Sequence, residues 1–137
     1  MSAMTQFQGQ RILIAEDNPT NQQLVLAFLK RANLIGEAVD NGRDAVERAK
    51  SGDFQLVLMD IQMPIMDGLE AARTIREWER GRTGRLPILA LTAHGLPESR
   101  ERVKTCGMDE LVAKPVEAEV LYREIDRLLS PRTQVSS

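Results

Sequence analysis

A chain of 137 residues with a formal charge of −2 and a pI near 5.5 is the size of one domain and can bury about two-thirds of its unfolded surface. It is too acidic for a non-specific nucleic-acid binder, which is usually basic. Its single cysteine, Cys106, excludes an internal disulfide and reads as structural, its longest apolar run is far short of a membrane span, and nothing at its start resembles a secretion signal. A reduced cytoplasmic setting is therefore expected, with no direct contact to nucleic acid or membrane.

The domain is expected over residues 10–130, with flexible termini at 1–9 and 131–137. The first apolar run, Ile12-Leu13-Ile14-Ala15, ends on the acidic pair Glu16-Asp17 and predicts a strand over about 11–17. Asn18 then offers a helix N-cap with Pro19 just inside, where its missing N–H costs nothing. Leu24, Val25, Phe28 and Leu29 give that helix its apolar stripe. A strand over 35–39 and a helix carrying Ala45, Val46 and Ala49, ending near Gly52, come next.

The run Leu56-Val57-Leu58-Met59 ends on Asp60 and predicts a strand over about 55–60. Asp67-Gly68-Leu69-Glu70 opens a third helix with a cap residue and a Glu three positions on. Arg73, Arg76 and Arg80 on that helix, interleaved with Glu70, Glu77 and Glu79, read as a solvated, salt-bridged face of little energetic weight. A strand over 87–92 stops at Thr92. The fourth helix, about 97–106, has Val103 almost alone as an apolar anchor, which predicts low local stability and an element able to move. A short strand over 110–114 ends at Lys114-Pro115, and Val120, Leu121, Ile125 and Leu128 mark the fifth helix.

Strict alternation of strand and helix predicts an α/β fold: a doubly wound, five-stranded parallel sheet with right-handed crossovers, of flavodoxin-like order 2-1-3-4-5. In such sheets ligands bind beyond the carboxyl ends of the strands. Glu16, Asp17, Asp60, Thr92 and Lys114 would meet there. Each has a plainer reading alone: Glu16-Asp17 as a solvated strand end, Thr92 as a strand former, Lys114 as a surface lysine. Together they read as a site, because carboxylates about 4 Å apart repel by about 4 kcal/mol per pair at an effective dielectric near 20. Such a cluster must raise a pKa, bind a cation or pair with a base.

All-oxygen ligation points to Mg²⁺, and one histidine with one cysteine cannot make a usual zinc site. Asp60 can serve as metal ligand or as a nucleophile that forms an aspartyl phosphate. Lys114 would offset the incoming charge, and the Thr92 hydroxyl could donate to a phosphoryl oxygen. Small Ala93 leaves access. Gln62 and His94 each lie two residues past a pocket residue, where they could flank an attacking water and tune the lifetime of a phosphoryl group. His94, the lone histidine, allows no Ser-His-Asp triad, and no G-x-x-x-x-G-K-[ST] loop is present.

These residues resemble a two-component receiver domain from about Gln10 to Leu129. The motifs are Ile-Leu-Ile-Ala-Glu-Asp-Asn at 12–18, Leu-Met-Asp-Ile-Gln-Met-Pro-Ile-Met-Asp-Gly at 58–68, Leu-Ala-Leu-Thr-Ala-His at 89–94 and Lys-Pro at 114–115. The resemblance implies that Asp60 accepts a phosphoryl group from the histidine of a kinase or a phosphotransfer protein. It implies that Asp17 and Asp60 ligate Mg²⁺ with the main-chain carbonyl of Gln62 and a water held by Glu16, and that Thr92 and Lys114 bind phosphoryl oxygens. Glu-Asp-Asn-Pro-Thr-Asn-Gln and Ile-Leu-Ala-Leu-Thr-Ala-His are especially similar to receivers attached to hybrid histidine kinases; a stand-alone regulator is the other possibility. One departure is Leu111, three residues before Lys114, where the family often has an aromatic switch residue. Thr92 is then the expected driver of a switch surface formed by the fourth helix, the last strand and the last helix.

The first functional expectation is thus a phosphorylation-gated binding module that catalyses its own phosphorylation and dephosphorylation. A metal-dependent phosphohydrolase would need a general acid near Asp60, and Gln62 is an amide. A phosphate-independent binding domain would need an inert pocket, against which the intact acid set and Lys114 argue.

Overall fold

The computed structural model describes residues 7–51, 53–82, 84–93 and 97–129. Along the chain these form Arg11–Ala15 (β1), Pro19–Arg31 (α1), Ile35–Val39 (β2), Gly42–Lys50 (α2), Leu56–Asp60 (β3), Gly68–Glu79 (α3), Ile88–Thr92 (β4), Pro97–Thr105 (α4), Glu110–Ala113 (β5) and Ala118–Leu129 (α5). The strands pair in parallel in the order β2-β1-β3-β4-β5, as the alternation predicts.

The central strands are apolar on both faces because both faces are covered. Ile12 and Ile14 of β1 pack with Leu56 and Leu58 of β3 beneath Val25 and Leu29 of α1 and Leu121 and Ile125 of α5. The intervening residues, Leu13, Ala15, Val57 and Met59, face Ala45 and Val46 of α2, Ala72 and Ile75 of α3, and Val103 of α4. Every residue of β3 and β4 is buried. At about 1.5–3 kcal/mol for each large aliphatic side chain removed from water, these two layers fix the register. Ala15 lies opposite Met59 and Asp60 opposite Leu91, so the carboxyl ends of β1, β3 and β4 come out together.

Two helix starts follow the expected caps, at Asn18 and Asp67, and Asn41 supplies a third that was not anticipated. Asn18 accepts from the Asn21 N–H with Pro19 in the first turn, Asn41 accepts from Asp44 and Asp67 from Glu70. Gly52, the expected end of α2, lies outside the described residues.

Two expectations need correction. Residues 7–9 belong to the packed domain rather than to a flexible terminus. Phe7 is buried, its N–H donates to the Ala32 carbonyl at 3.1 Å and the Gly9 N–H to the Asn33 carbonyl at 2.8 Å. A lone aromatic residue in a polar stretch was enough to anchor the segment. Arg76, in turn, is no solvated charge. Its side chain is only 15% exposed and donates to the carbonyls of Gly107 and Leu86 and to the carboxylates of Glu79 and Asp109. Arg73 and Arg80 are exposed as expected.

Candidate functional site

At the carboxyl ends of the strands lies a cleft of about 550 Å³, lined among others by Glu16, Asp17, Asp60, Gln62, Thr92, Ala93 and Lys114. Each side chain arrives there because its strand stops there. Glu16 continues β1 by one ladder bond, its N–H donating to the Val39 carbonyl at 3.0 Å; Asp60 and Thr92 are the last residues of β3 and β4. Lys114 follows β5, its N–H donating to the Thr92 carbonyl at 2.7 Å, and its peptide bond to Pro115 is cis.

The three acids can each offer a carboxylate oxygen within 4.8 Å of the others. Glu16 and Asp60 are buried, Asp17 exposed. Lys114 Nζ stands between the two buried acids, 2.9 Å from Glu16 Oε1 and 2.9 Å from Asp60 Oδ2. It donates a hydrogen bond to Asp60. Its contact with Glu16 Oε1 is an ion pair to an oxygen that is itself buried. The other oxygens are held by main chain: Glu16 Oε2 accepts from the Asn18 N–H at 3.1 Å, and Asp60 Oδ1 from the Gln62 N–H at 3.2 Å.

Burial pushes the Asp60 carboxyl from the ordinary 3.8 up to about 6, helped by the charge of Glu16 and resisted by the hydrogen bond from Lys114. Burial also works against the Lys114 ammonium, yet its contacts with Asp60 and Glu16 outweigh that and its pKa is raised. The ammonium therefore stays charged while one neighbour is held near the point of protonation, the state expected of acids crowded without enough positive charge.

Of the residues singled out in the sequence, Glu16, Asp17, Asp60, Gln62, Thr92 and Lys114 come together in the cleft. Leu111 does not line it; it is buried on β5 in the same apolar layer as Val103, Cys106 and Met108. His94 lies outside the described residues. Sequence reading missed Asn18, Asn21 and Met63, and Arg102 of α4, which also line the cleft. Asn18 was read only as a cap, although it directly follows the acidic pair. Arg102 carried no signal, because one charge among many on a polar helix does not say which way it points.

A parallel sheet whose strand ends gather carboxylates around one ammonium and one hydroxyl defines a domain for binding a cation and a phosphoryl group. The model of the response regulator receiver domain family matches residues 12–126, and the chain belongs to that family. It is 39% identical over 126 residues to the signal transduction histidine-protein kinase BarA of Shigella flexneri, covering 92% of this chain and 13% of the relative. To the hybrid signal transduction histidine kinase I of Dictyostelium discoideum it is 37% identical over 127 residues, covering 89% and 7%. The chain thus spans a small part of these relatives, the receiver part.

Solved receivers agree in fold. The receiver domain of the Pseudomonas aeruginosa sensor histidine kinase PA1611, with magnesium coordinated in its active site cleft, superposes with a TM-score of 0.80 at 40% identity, over 88% of this chain and 98% of that one. The receiver of the Saccharomyces cerevisiae regulator Ssk1, crystallised with the histidine phosphotransfer protein Ypd1, gives 0.82 at 31% identity, over 89% and 90%.

Proposed function

We propose that this receiver takes a phosphoryl group from the histidine of a histidine kinase or histidine phosphotransfer protein onto Asp60. The observation that carries the reading is Lys114 Nζ, held 2.9 Å from Asp60 Oδ2 inside the acidic cleft. An Asp60 oxygen attacks phosphorus; the new P–O bond forms as the N–P bond breaks, and the histidine nitrogen leaves with that electron pair. Lys114 and the Thr92 hydroxyl receive the phosphoryl oxygens and offset their charge as they arrive. Water later attacks phosphorus, the bond to Asp60 breaks, and inorganic phosphate leaves with the carboxylate restored. Gln62 and His94 set the pace of that second step.

Magnesium fits the residues present. The donor set is all oxygen, the three acids converge within 4.8 Å, and the Lys114 ammonium between Glu16 and Asp60 does not by itself balance their charge. Asp17 and Asp60 would hold the ion directly with the main-chain carbonyl of Gln62, and Glu16 through water. When bound, the ion neutralises the acids and polarises the phosphoryl oxygens. The magnesium in the PA1611 receiver supports this assignment, and the pairing of the Ssk1 receiver with Ypd1 supports a phosphotransfer protein as donor.

The parent of this receiver is either a hybrid histidine kinase, like the relatives, or a stand-alone regulator. No helix among the described residues is long and apolar enough to cross a membrane, and in this reading the domain works in the cytoplasm. Its output is a protein contact made by α4, β5 and α5, without nucleic acid. Mass spectrometry after incubation with acetyl phosphate and Mg²⁺ tests the reading: one hydroxylamine-labile phosphoryl group is expected on Asp60 and none in Asp60→Asn. Phosphate on Ser or Thr, or undiminished in the variant, refutes it.

A further inference from the structure

A single exposed aliphatic side chain normally needs no explanation. Ile65 does, because its backbone is strained as well. It lies between β3 and α3 with 68% of its surface exposed and a φ of 70°, a left-handed conformation that β-branched residues rarely adopt. The Met66 N–H donates to the Pro64 carbonyl at 2.7 Å. Ile65 is therefore the central residue of a three-residue γ-turn, whose positive-φ form is rare and strained.

Glycine or asparagine would hold this turn with less strain and leave no apolar surface in water. The surroundings impose the conformation instead. The Gly68 N–H donates to the Ile61 carbonyl at 2.8 Å, and the Met66 carbonyl oxygen packs so tightly on Gly42 that a Cβ there would stand 2.0 Å from it. Strain that neighbouring structure over-determines is an indicator of function.

Placement indicates which function. Gln62, Met63 and Pro64 line the cleft that holds Asp60, and Ile65 is the next residue along, outside that lining. We propose that Ile65, exposed one residue beyond the cleft lining, is a specificity-determining contact for the phosphodonor protein, its side chain entering an apolar depression beside the donor's phosphohistidine. This rests on the phosphoacceptor reading above. The donor is the occupant because Asp60 is only 5% exposed, so the donor must seat itself over the cleft mouth to bring phosphorus within reach. Burying Ile65 there removes apolar surface from water, and the preset turn spares the ordering cost of a flexible loop.

The test compares two donors on Asp60 in Ile65→Asn, Ile65→Gly and Ile65→Val. One donor is acetyl phosphate; the other is a panel of phosphorylated histidine phosphotransfer proteins that includes Ypd1. Asn and Gly are expected to raise the melting temperature and to leave acetyl phosphate labelling and Mg²⁺ affinity at wild-type values. Their kcat/KM for protein donors should fall by about tenfold or more, as when a central apolar contact is cut from an interface, while Val keeps most of the rate.

Wild-type transfer rates in Asn and Gly overturn the proposal. So does an equal loss with acetyl phosphate, which would put the effect inside the cleft. Absence of transfer from every protein donor to the unsubstituted chain overturns it too. Failure of acetyl phosphate to label the unsubstituted chain instead removes the phosphoacceptor reading.

Discussion

Gly68 rests against the main chain of Asp60: a Cβ added at Gly68 would stand 2.2 Å from the Asp60 carbonyl oxygen. The amino end of α3 is thus pressed onto the residue that sits among the cleft's acids. The Gly68 N–H also donates to the Ile61 carbonyl at 2.8 Å, so the helix cannot slide back without losing that bond. Gly68→Ala must push the two apart, which for overpacking costs about 1–3 kcal/mol. Urea midpoints should show that loss, and acetyl phosphate labelling of Asp60 should slow. A variant as stable as the wild type would mean that the contact relaxes freely.

The raised pKa of Asp60 makes a signed prediction for the metal-free protein. The folded state holds the Asp60 proton more tightly, near pH 6 against an ordinary 3.8. Its contribution to stability is full below about pH 4 and is lost as pH rises through about 6. In chelator, Asp60→Asn should therefore gain stability relative to the wild type between pH 5 and about pH 7.5, most at the upper end. Mg²⁺ binds the ionised carboxylate and should close that gap. Denaturation midpoints across this range, with and without Mg²⁺, decide it; a gap that widens toward low pH has the wrong sign.

Arg76 joins α3 to the segments on either side of β4, reaching Leu86, Gly107, Glu79 and Asp109. Removing it leaves partly buried acceptors short of a donor, a loss of about 2–4 kcal/mol for Arg76→Ala. Lysine should restore little, because a single ammonium cannot reproduce the guanidinium fork. Arg73→Ala and Arg80→Ala, at exposed positions, should stay within about 0.5 kcal/mol of wild type. Equal effects at all three positions in urea denaturation would return Arg76 to the solvated face.

That contrast marks what a single sequence conveys. The sheet was legible because β1, β3 and β4 are buried on both faces, which forces continuous apolar runs, and because each run ends on a polar residue with chemistry to do. Asp60 and Glu16 stood out since a carboxylate at the end of a buried strand is costly. Arg76 was not legible: its partners at Leu86, Gly107 and Asp109 are distant in sequence, and on the helix it follows the same charge pattern as exposed Arg73. Phe7 was hidden for the same reason, since the carbonyl of Ala32 that receives its N–H belongs to the far end of α1. Arg102 needed the orientation of α4, which one apolar anchor leaves ambiguous.

Glu16 and Asp17, adjacent in sequence, should differ in their hold on Mg²⁺. Glu16 is buried and already engaged by Lys114 Nζ and the Asn18 N–H, whereas Asp17 is exposed at the cleft. A charge in direct contact with an ion counts for more than one acting through water. Asp17→Asn should therefore weaken Mg²⁺ binding more than Glu16→Gln in a calorimetric titration. The opposite order would make Glu16 the direct ligand.

The last prediction concerns how phosphorylation reaches the surface. Turning Asp60 into an acyl phosphate replaces one negative charge with about −1.5 to −2. The groups positioned to follow that charge are Thr92, buried at the end of β4, Lys114, and Arg102 of α4, which lines the cleft. Leu111 lies in the layer under α4 with Val103 and has no polar atom to exchange between partners. Leu111→Ala should then cost about 2–4 kcal/mol, as for a buried leucine, yet leave the response in place. Thr92→Ala should blunt the response even where Asp60 is modified, and Arg102→Gln should reduce the part carried by α4. Amide chemical-shift changes in α4, β5 and α5 on adding beryllofluoride with Mg²⁺ measure this. Shifts that vanish in Leu111→Ala but persist in Thr92→Ala would mean that packing beneath α4, rather than hydroxyl contact in the cleft, transmits the signal.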